Sequence, residues 1–329
     1  MTTIRKLDIV IPVRNEQASL PLLFDCVTRA FSATSDIHWR MICVDDGSND
    51  ASWRVLVEMC ETHPQLSALR LARGFGKEAA LEAGLSITDA PWILVMDADL
   101  EHPPALIAEM INIQHSKQTD IVTAVRRERP PENFFKRVAT NAFFFAFRFG
   151  AGFEFRETSD FKLISRRAVD AYLALSERRK LFRGLSRWLG FSEARVSFAP
   201  VVSQLKTFSS FSTWALLRHG LKSIVSFTSA PLIWIAWTGA ITFSIAIILA
   251  LQTLWGKLTG ASAQGFSTVI LLQLGIGSVL MLALGIIGIY LAAIYEELKA
   301  RPIYIVTDQT GSKPSYILAK SVKIENQLS

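Results

Sequence analysis

Residues 7–46 read LDIVIPVRNEQASLPLLFDCVTRAFSATSDIHWRMICVDD, and three patterns follow one another along them. LDIVIPV (7–13) is a short apolar β-rich run, residues 16–31 carry a helical pattern, and RMICVD (40–45) is β-rich again. The alternation continues with helical 50–63, LSALRLA (66–72), helical 77–87, WILVMD (92–97), helical 104–114 and IVTAV (121–125). Strands separated by helices imply a parallel sheet with right-handed crossovers, and therefore an α/β domain.

Open parallel sheets bind ligands at the carboxyl ends of their strands. The first strand is followed by Pro12-Val13-Arg14-Asn15-Glu16, the second by Asp45-Asp46-Gly47-Ser48, and the fourth by Asp97-Ala98-Asp99. Carboxylates thus gather on one edge. Neither GxGxxG nor GxxxxGK[ST] occurs, and the isolated Gly74-Phe75-Gly76 is no substitute for either. Asp97 and Asp99, one residue apart, direct oxygens toward the same point, which suits a hard divalent cation that also binds phosphate. The same triplet reads equally as a helix cap ahead of Pro103-Pro104, and Asp50 as a cap for the helix after Asp45-Asp46.

Composition places this domain in a larger context. The 329 residues are 50% apolar and 19% charged, against roughly 25% charged in ordinary soluble domains, so a substantial piece avoids water and disorder is excluded. Cys26, Cys43 and Cys60 lack CxxC spacing and are expected to be plain buried thiols. The start, MTTIRKLDIVIPVRNE, is too short in apolar run for a secretory signal, so the N-terminus is expected to stay cytosolic. Net charge is −7 over residues 1–125, +11 over 126–222 and +2 over 223–329. The basic block sits directly before apolar segments and contains no nucleic-acid module, which favours an anionic lipid or a lipid-borne substrate over nucleic acid.

Between Lys222 and Glu296 the only charged residue is Lys257, leaving apolar runs at 231–256 and 267–295. Each exceeds the roughly 20 residues needed to cross a bilayer as a helix, so two transmembrane helices are expected. Arg218 and Lys222 precede the first, while Lys299 and Arg301 follow the second, which places both flanks in the cytoplasm. The expected layout is a catalytic domain over 1–205, a juxtamembrane segment over 206–230, the two spans, and a cytosolic tail over 296–329. Gly288 and Ala292 provide a small-residue pair for helix contact. Residues 133–150, rich in Phe among Lys136, Arg137 and Arg148, read as either an interfacial or a core helix, and 211–222 as interfacial.

IVIPVRNE, VDDGSND, LARGFGKEAALEAGL, VMDADLEHPP, SDFKLISR, RGLSRWLGF and YLAAIYEELKARPIYIV occur in this order. Together with the two apolar runs, this set resembles the polyprenyl-phosphate glycosyltransferases of glycosyltransferase family 2, similar to GtrB-type and ArnC-type enzymes and dolichol-phosphate mannose synthase. The resemblance covers about residues 5–306 and implies a GT-A fold. It implies transfer of one sugar, with inversion, from a nucleotide-diphosphate sugar, by default a UDP-sugar, to a polyprenyl phosphate, with Mg²⁺ or Mn²⁺. By position, Pro12, Val13 and Glu16 would hold the nucleoside end, with Asp45, Asp46, Lys77 and Asp97 also on the donor side. Asp97 and Asp99 match the metal-binding pair, and Asp160 matches the active-site aspartate. Arg126 and Arg137 fall among the acceptor-phosphate arginines. Arg183, in the basic cluster with Arg178, Arg179, Lys180 and Arg187, and Lys206 are further acceptor-side candidates, the cluster reading equally as an exposed basic face. The resemblance also implies an inner-membrane location and a tetramer, with the tail 302–306 able to pair as a strand with a neighbouring copy.

An acceptor phosphate monoester has a second pKa of about 6, so it is already an anionic nucleophile at neutral pH. The difficulty is bringing two anions together, which assigns arginines to the acceptor and a metal to the leaving diphosphate. Asp160 is then expected to position the acceptor or the metal rather than to abstract a proton. Two departures stand out: Glu101-His102 replaces the usual Gln-Asp, and Lys206–Trp214 replaces a Gly- and Lys-containing segment. His102 is expected to be a surface residue at a helix start and not a metal ligand. A processive polysaccharide synthase and a non-catalytic membrane scaffold of the same fold remain the alternatives. The first usually needs more spans and a QxxRW motif, which GLSRW (184–188) lacks.

Overall fold

The computed structural model describes residues 6–32, 37–126, 159–177, 180, 182–198, 230–258 and 266–311. They form two compact units, one built from the described residues up to 198 together with 301–311, the other from two long helices. In the first unit β1 (Lys6–Val13), α1 (Ser19–Ser32), β2 (His38–Asp45), α2 (Ser52–Thr62), β3 (Leu66–Leu71), α3 (Lys77–Ser86), β4 (Trp92–Val95), α4 (Leu106–Lys117) and β5 (Ile121–Arg126) alternate as the sequence predicts. They are followed by β6 (Lys162–Ser165), α5 (Arg166–Ala174), α6 (Phe182–Trp188), β7 (Glu193–Phe198) and, from the tail, β8 (Val306–Gly311).

The eight strands lie in the order β7-β5-β6-β4-β1-β2-β3-β8. β3, β2, β1 and β4 are mutually parallel, as is the β5–β7 pair. The sheet is nevertheless mixed: β6 runs antiparallel between β4 and β5, and β8 antiparallel to β3. The reversal of β6 has a direct consequence for the site. Lys162, its first residue, pairs with Val95, the last of β4, so the chain enters β6 at the edge where the parallel strands end. Asp160 is thereby delivered beside Asp97. The tail strand pairs at 306–311 within its own chain. There it covers the outer edge of β3, with Ala72 N–H donating to the Ile305 carbonyl at 2.9 Å and Tyr304 Oη 3.1 Å from Ser86 Oγ.

Successive residues of a strand point to opposite faces, and the core follows that rule. On β2, Met41 and Cys43 join Leu7, Ile9 and Ile11 in the cluster covered by α1, where Leu20, Leu23, Phe24, Val27 and Phe31 form the buried stripe. Ile42 and Val44 face the other way, with Leu69, Leu71, Ala80 and Ala83, under α3. Cys43 is buried while Cys26 and Cys60 are half-buried; all are free thiols, and burial pushes the Cys43 and Cys60 thiols up, the latter to about 11. α3 lies so close to the sheet that a Cβ on Gly84 would come 2.4 Å from Val10 Cγ1 and 3.1 Å from Val44 Cγ2. Glycine there lets α3 settle onto β1 and β2, which sets the height of Lys77 at its first turn.

The second unit consists of α7 (Ala230–Leu258) and α8 (Phe266–Leu298), which touch each other and expose large apolar side chains such as Trp237, Phe243, Leu280 and Met281. Both expected apolar runs are therefore helical. Among the described residues, the Gly275–Leu298 stretch is long and apolar enough to cross a membrane, while the apolar stretch Trp237–Leu249 of α7 is shorter. Residues 133–150, read as either an interfacial or a core helix, and 211–222, read as interfacial, lie outside the described residues, as do Arg137, Arg178, Arg179 and Lys206.

Because Val10 stands on a central strand and cannot retreat, Gly84→Ala is expected to destabilise the first unit by about 1–3 kcal/mol through overpacking, although alanine is the better helix former. Chemical denaturation of the detergent-purified protein checks this, and an unchanged or raised midpoint would refute the close packing.

Candidate active site

The loops after β1 and β2 are laced together by hydrogen bonds before any ligand is considered. The amide of Asn15 donates to Ser48 Oγ at 2.9 Å, that of Glu16 to Ser52 Oγ at 2.8 Å, and that of Asn49 to Asn15 Oδ1 at 2.9 Å. Asn15 takes a left-handed backbone (φ 55°), which asparagine tolerates well. Val13 is buried and Pro12 half-buried in β1, while the Glu16 carboxylate accepts the Ser19 hydroxyl at 2.5 Å. Asp45 is fully buried: its Oδ1 accepts the Ser48 amide at 3.1 Å, and Arg70 Nε lies 3.5 Å from its Oδ2. That carboxylate therefore organises the turn beneath the edge.

Asp46 has a different set of partners. Its oxygens accept the amides of Phe75 at 2.6 Å and Gly76 at 3.0 Å, and the Arg14 guanidinium at 3.2 Å. The Gly74-Phe75-Gly76 loop, which carries no phosphate motif, offers two amides to Asp46 and leads directly into α3. Gly47 (φ +62°) makes this possible, since a Cβ there would lie 2.5 Å from the Arg73 carbonyl carbon.

From that start α3 projects Lys77 into the centre of the edge. Its Nζ lies 2.6 Å from Asp97 Oδ1 and 2.7 Å from Asp160 Oδ2. Arg183, from the first turn of α6, completes the group, with Nε 3.1 Å from Asp160 Oδ1 and Nη2 2.8 Å from Oδ2. Burial alone would raise the Asp160 carboxyl, but Arg183 and Lys77 outweigh it and hold it well below the usual carboxylate range. Burial likewise pulls against the Lys77 and Arg183 cations, which their carboxylate partners nonetheless stabilise. Glu78, next along α3, moves oppositely: burial pushes its carboxyl up to about 7, against a hydrogen bond from the Phe182 amide at 2.8 Å.

Asp97 and Asp99 are half-buried at the end of β4, and Asp99 Oδ1 accepts the Glu101 amide at 3.0 Å. Between them and the next helix Leu100 adopts φ 59°, a left-handed conformation costly for a branched side chain, here held by packing against the core. His102 is no surface residue: it is 7% exposed, its ring 5.1 Å from that of Phe161 and 5.8 Å from that of Phe198, with Nε2 3.3 Å from Ser159 Oγ. It is held inward by Phe161, just before β6, and Phe198, the last residue of β7. One ligand atom from each of Asp97, Asp99 and His102 lies within 4.8 Å of the others, so two carboxylates and an imidazole fit a divalent ion.

The edge thus gathers Lys77, Asp97, Asp99, His102, Asp160 and Arg183, while Arg126 is the last residue of β5. Beyond the sequence-predicted set, the geometry adds Arg14, Glu78 and the 75–76 amides. Arg14, Glu78 and Phe75-Gly76 all lie within the motifs IVIPVRNE and LARGFGKEAALEAGL, but nothing in the sequence marks their roles.

The family profile described as Glycosyl transferase family 2 matches residues 8–173. The chain belongs to glycosyl transferase family 2. This family's GT-A-like α/β architecture accords with the parallel-dominated sheet. An uncharacterized glycosyltransferase of Synechocystis is 33% identical over 93% of this chain and 96% of its own length. A prophage-derived bactoprenol glucosyl transferase of Shigella flexneri is 28% identical over 94% of this chain and 100% of its own. Among solved structures, the mannosyltransferase PcManGT of Pyrobaculum calidifontis, in complex with GDP-Man and Mn²⁺, matches with a TM-score of 0.48 at 16% identity, covering 86% of this chain and 88% of that one.

Asp160 and Glu78 make opposite contributions to pH stability. The depressed Asp160 carboxyl stabilises the fold above the ordinary carboxylate range, and that contribution is lost only as pH falls through its lower folded value. Glu78 keeps its proton in the folded chain up to about 7, while the unfolded chain releases it near 4.5, so its contribution to stability falls as pH rises between these values. Melting curves are expected to show wild type losing stability from pH ~5 to ~8 relative to Glu78→Gln, whose side chain carries no proton to release. Parallel curves across that range would overturn the assignment.

Proposed function

We propose that this protein is a membrane-bound inverting glycosyltransferase that moves one sugar from a UDP-sugar to the phosphate of a polyprenol, for modification of a cell-envelope glycan. The observation that carries this reading is the Asp160 carboxylate with Lys77 on one oxygen and Arg183 on both, adjacent to Asp97. Family membership and the relatives named bactoprenol glucosyl transferase support the same reaction.

The chemistry requires two anions to meet. Lys77 and Arg183 set against Asp97, Asp99 and Asp160 leave this edge net negative, which repels a diphosphate. Asp97 and Asp99, with the His102 imidazole within reach, would hold a Mg²⁺ or Mn²⁺ ion, which would supply Lewis-acid chemistry at the leaving diphosphate. The imidazole favours Mn²⁺ over Mg²⁺. Pro12, Val13, Glu16 and Asp46 line the loops assigned to the nucleoside end, with Asp45 supporting them from beneath. Lys77 is assigned to donor oxygens and Arg183 to the acceptor phosphate, to which the family resemblance also assigns Arg126, Arg137 and Lys206.

Asp160 acts as an electrostatic anchor in this reading. A carboxylate held well below its usual range is a poor proton acceptor, and the acceptor phosphate monoester, with a second pKa of about 6, needs none. Its work is to hold Lys77 and Arg183 apart and aimed. The lipid acceptor gives a reason for α7 and α8, read here as two transmembrane helices with the catalytic domain and both termini on the cytoplasmic side of the inner membrane, over the segment bounds set by the sequence. Assembly as a tetramer follows the family resemblance. The cation–carboxylate cluster lies at the edge where the parallel strands end, the place where open sheets bind ligands, and this argues against a non-catalytic scaffold.

Purified protein in detergent, offered undecaprenyl phosphate and a panel of UDP- and GDP-sugars, is expected to form one glycolipid with Mn²⁺ and none with EDTA. Asp99→Ala is expected to lower turnover by about 100-fold or more, in line with the loss of a transition-state charge stabiliser. Donor cleavage without glycolipid under every condition would overturn the acceptor assignment, and metal-independent turnover would overturn the role of the acidic pair.

Asp160→Asn keeps the side-chain shape but removes the charge shared by two cations. Turnover is expected to fall by about 100-fold or more while UDP-sugar binding, read by calorimetry, changes little. Near-normal turnover would reduce Asp160 to a packing role.

A further inference from the structure

Arg183 meets Asp160 from the start of α6, and the backbone immediately before it is gripped by another element. The Phe182 amide donates to Glu78 Oε2 at 2.8 Å, and Glu78 is the second residue of α3. One helix start therefore sends Lys77 to Asp160 and Glu78 to the root of the arginine that shares Asp160. One turn further along α3, Glu82 Oε1 accepts Lys180 Nζ at 3.0 Å, a pair almost wholly buried. Tyr172 of α5 packs edge-on against Phe182, ring centroids 5.5 Å apart, and Lys180 Nζ stands 5.3 Å from the Tyr172 ring.

Lys180 and Phe182 are thus held by α3 and α5, leaving Arg183 as the next residue to project toward the site. A guanidinium on a flexible stem binds both oxygens of a carboxylate only if its Cα is placed correctly. Fixing the neighbouring amide does that without any contact to the guanidinium itself. We propose that Glu78 is a positioning residue for the acceptor site: by holding the Phe182 amide it sets Arg183 in two-point register on Asp160, where the cation meets the acceptor phosphate. This rests on the proposed reaction and on Arg183 as an acceptor-side group.

The test is transfer kinetics with undecaprenyl phosphate and the donor sugar varied separately, for wild type, Glu78→Gln, Glu78→Leu and Glu78→Asp. Glu78→Leu, similar in size but without an acceptor, is expected to raise KM for undecaprenyl phosphate about tenfold, with donor KM within about twofold of wild type, because the Phe182 amide loses its partner and the backbone that aims Arg183 is released. Glu78→Gln retains an oxygen for the Phe182 amide and is expected to restore wild-type KM. Equal acceptor KM in all variants, or equal rises in both KM values, would overturn the positioning role. Should Glu78→Leu fail to fold, Glu78→Asp, one methylene shorter, carries the test, and an unchanged acceptor KM there overturns it as well. Wild type without transfer to undecaprenyl phosphate would overturn the reaction itself and this inference with it, whereas an active wild type with indifferent variants removes Glu78 alone.

Discussion

A carboxylate that is 5% exposed must be compensated by charge, and Asp160 takes that compensation from two elements far apart in sequence. Lys77 arrives from the start of α3 and Arg183 from the start of α6, 83 and 23 residues away respectively. Removing water from an ionised group costs several kcal/mol, so neither cation can drift without exposing that cost. The cluster consequently ties together the loop after β3, the entry to β6 and the segment before β7. The nearby acidic pair Asp97 and Asp99 is joined to it through Lys77.

Two features of the backbone make this meeting possible. The antiparallel insertion of β6 brings its N-terminal side to the edge where the parallel strands have their C-termini, so Asp160 and Asp97 share one edge despite lying on opposite sides of their strands in sequence. The absence of a side chain at Gly84 lets α3 sit low on β1 and β2. Around the edge, Asn15 and Leu100 hold left-handed turns in the loops after β1 and β4, and Gly47 permits the close approach of 73–74. These special positions fall in the loops that carry the candidate site, where packing over-determines a conformation that would otherwise relax.

Charge logic links the site to the proposed reaction. An edge rich in carboxylates suits a phosphorylated donor only when a divalent ion joins it, and the ion-pair geometry leaves Asp160 ionised and unsuited to taking protons. A phosphate acceptor makes that an advantage, because it supplies its own negative charge and requires orientation rather than deprotonation. The long apolar helices give a lipid-linked acceptor a physical context that a soluble sugar acceptor would not need.

The order of strands and helices through residue 126 was legible in the sequence, because period-two and period-3.6 apolar patterns are local and the packing of each element depends on its own stripe. The acidic strand ends were legible for the same reason, since a residue following a parallel strand must emerge at its carboxyl edge. Only the tertiary structure decided that β6 runs backwards, that the tail strand pairs within its own chain, and that His102 is buried against Phe161 and Phe198. It alone paired Asp46 with the 75–76 amides, and Glu78 with the amide before Arg183. Strand direction, edge closure and ion pairing are contacts between segments distant in sequence, and no local pattern encodes which charged group will meet which.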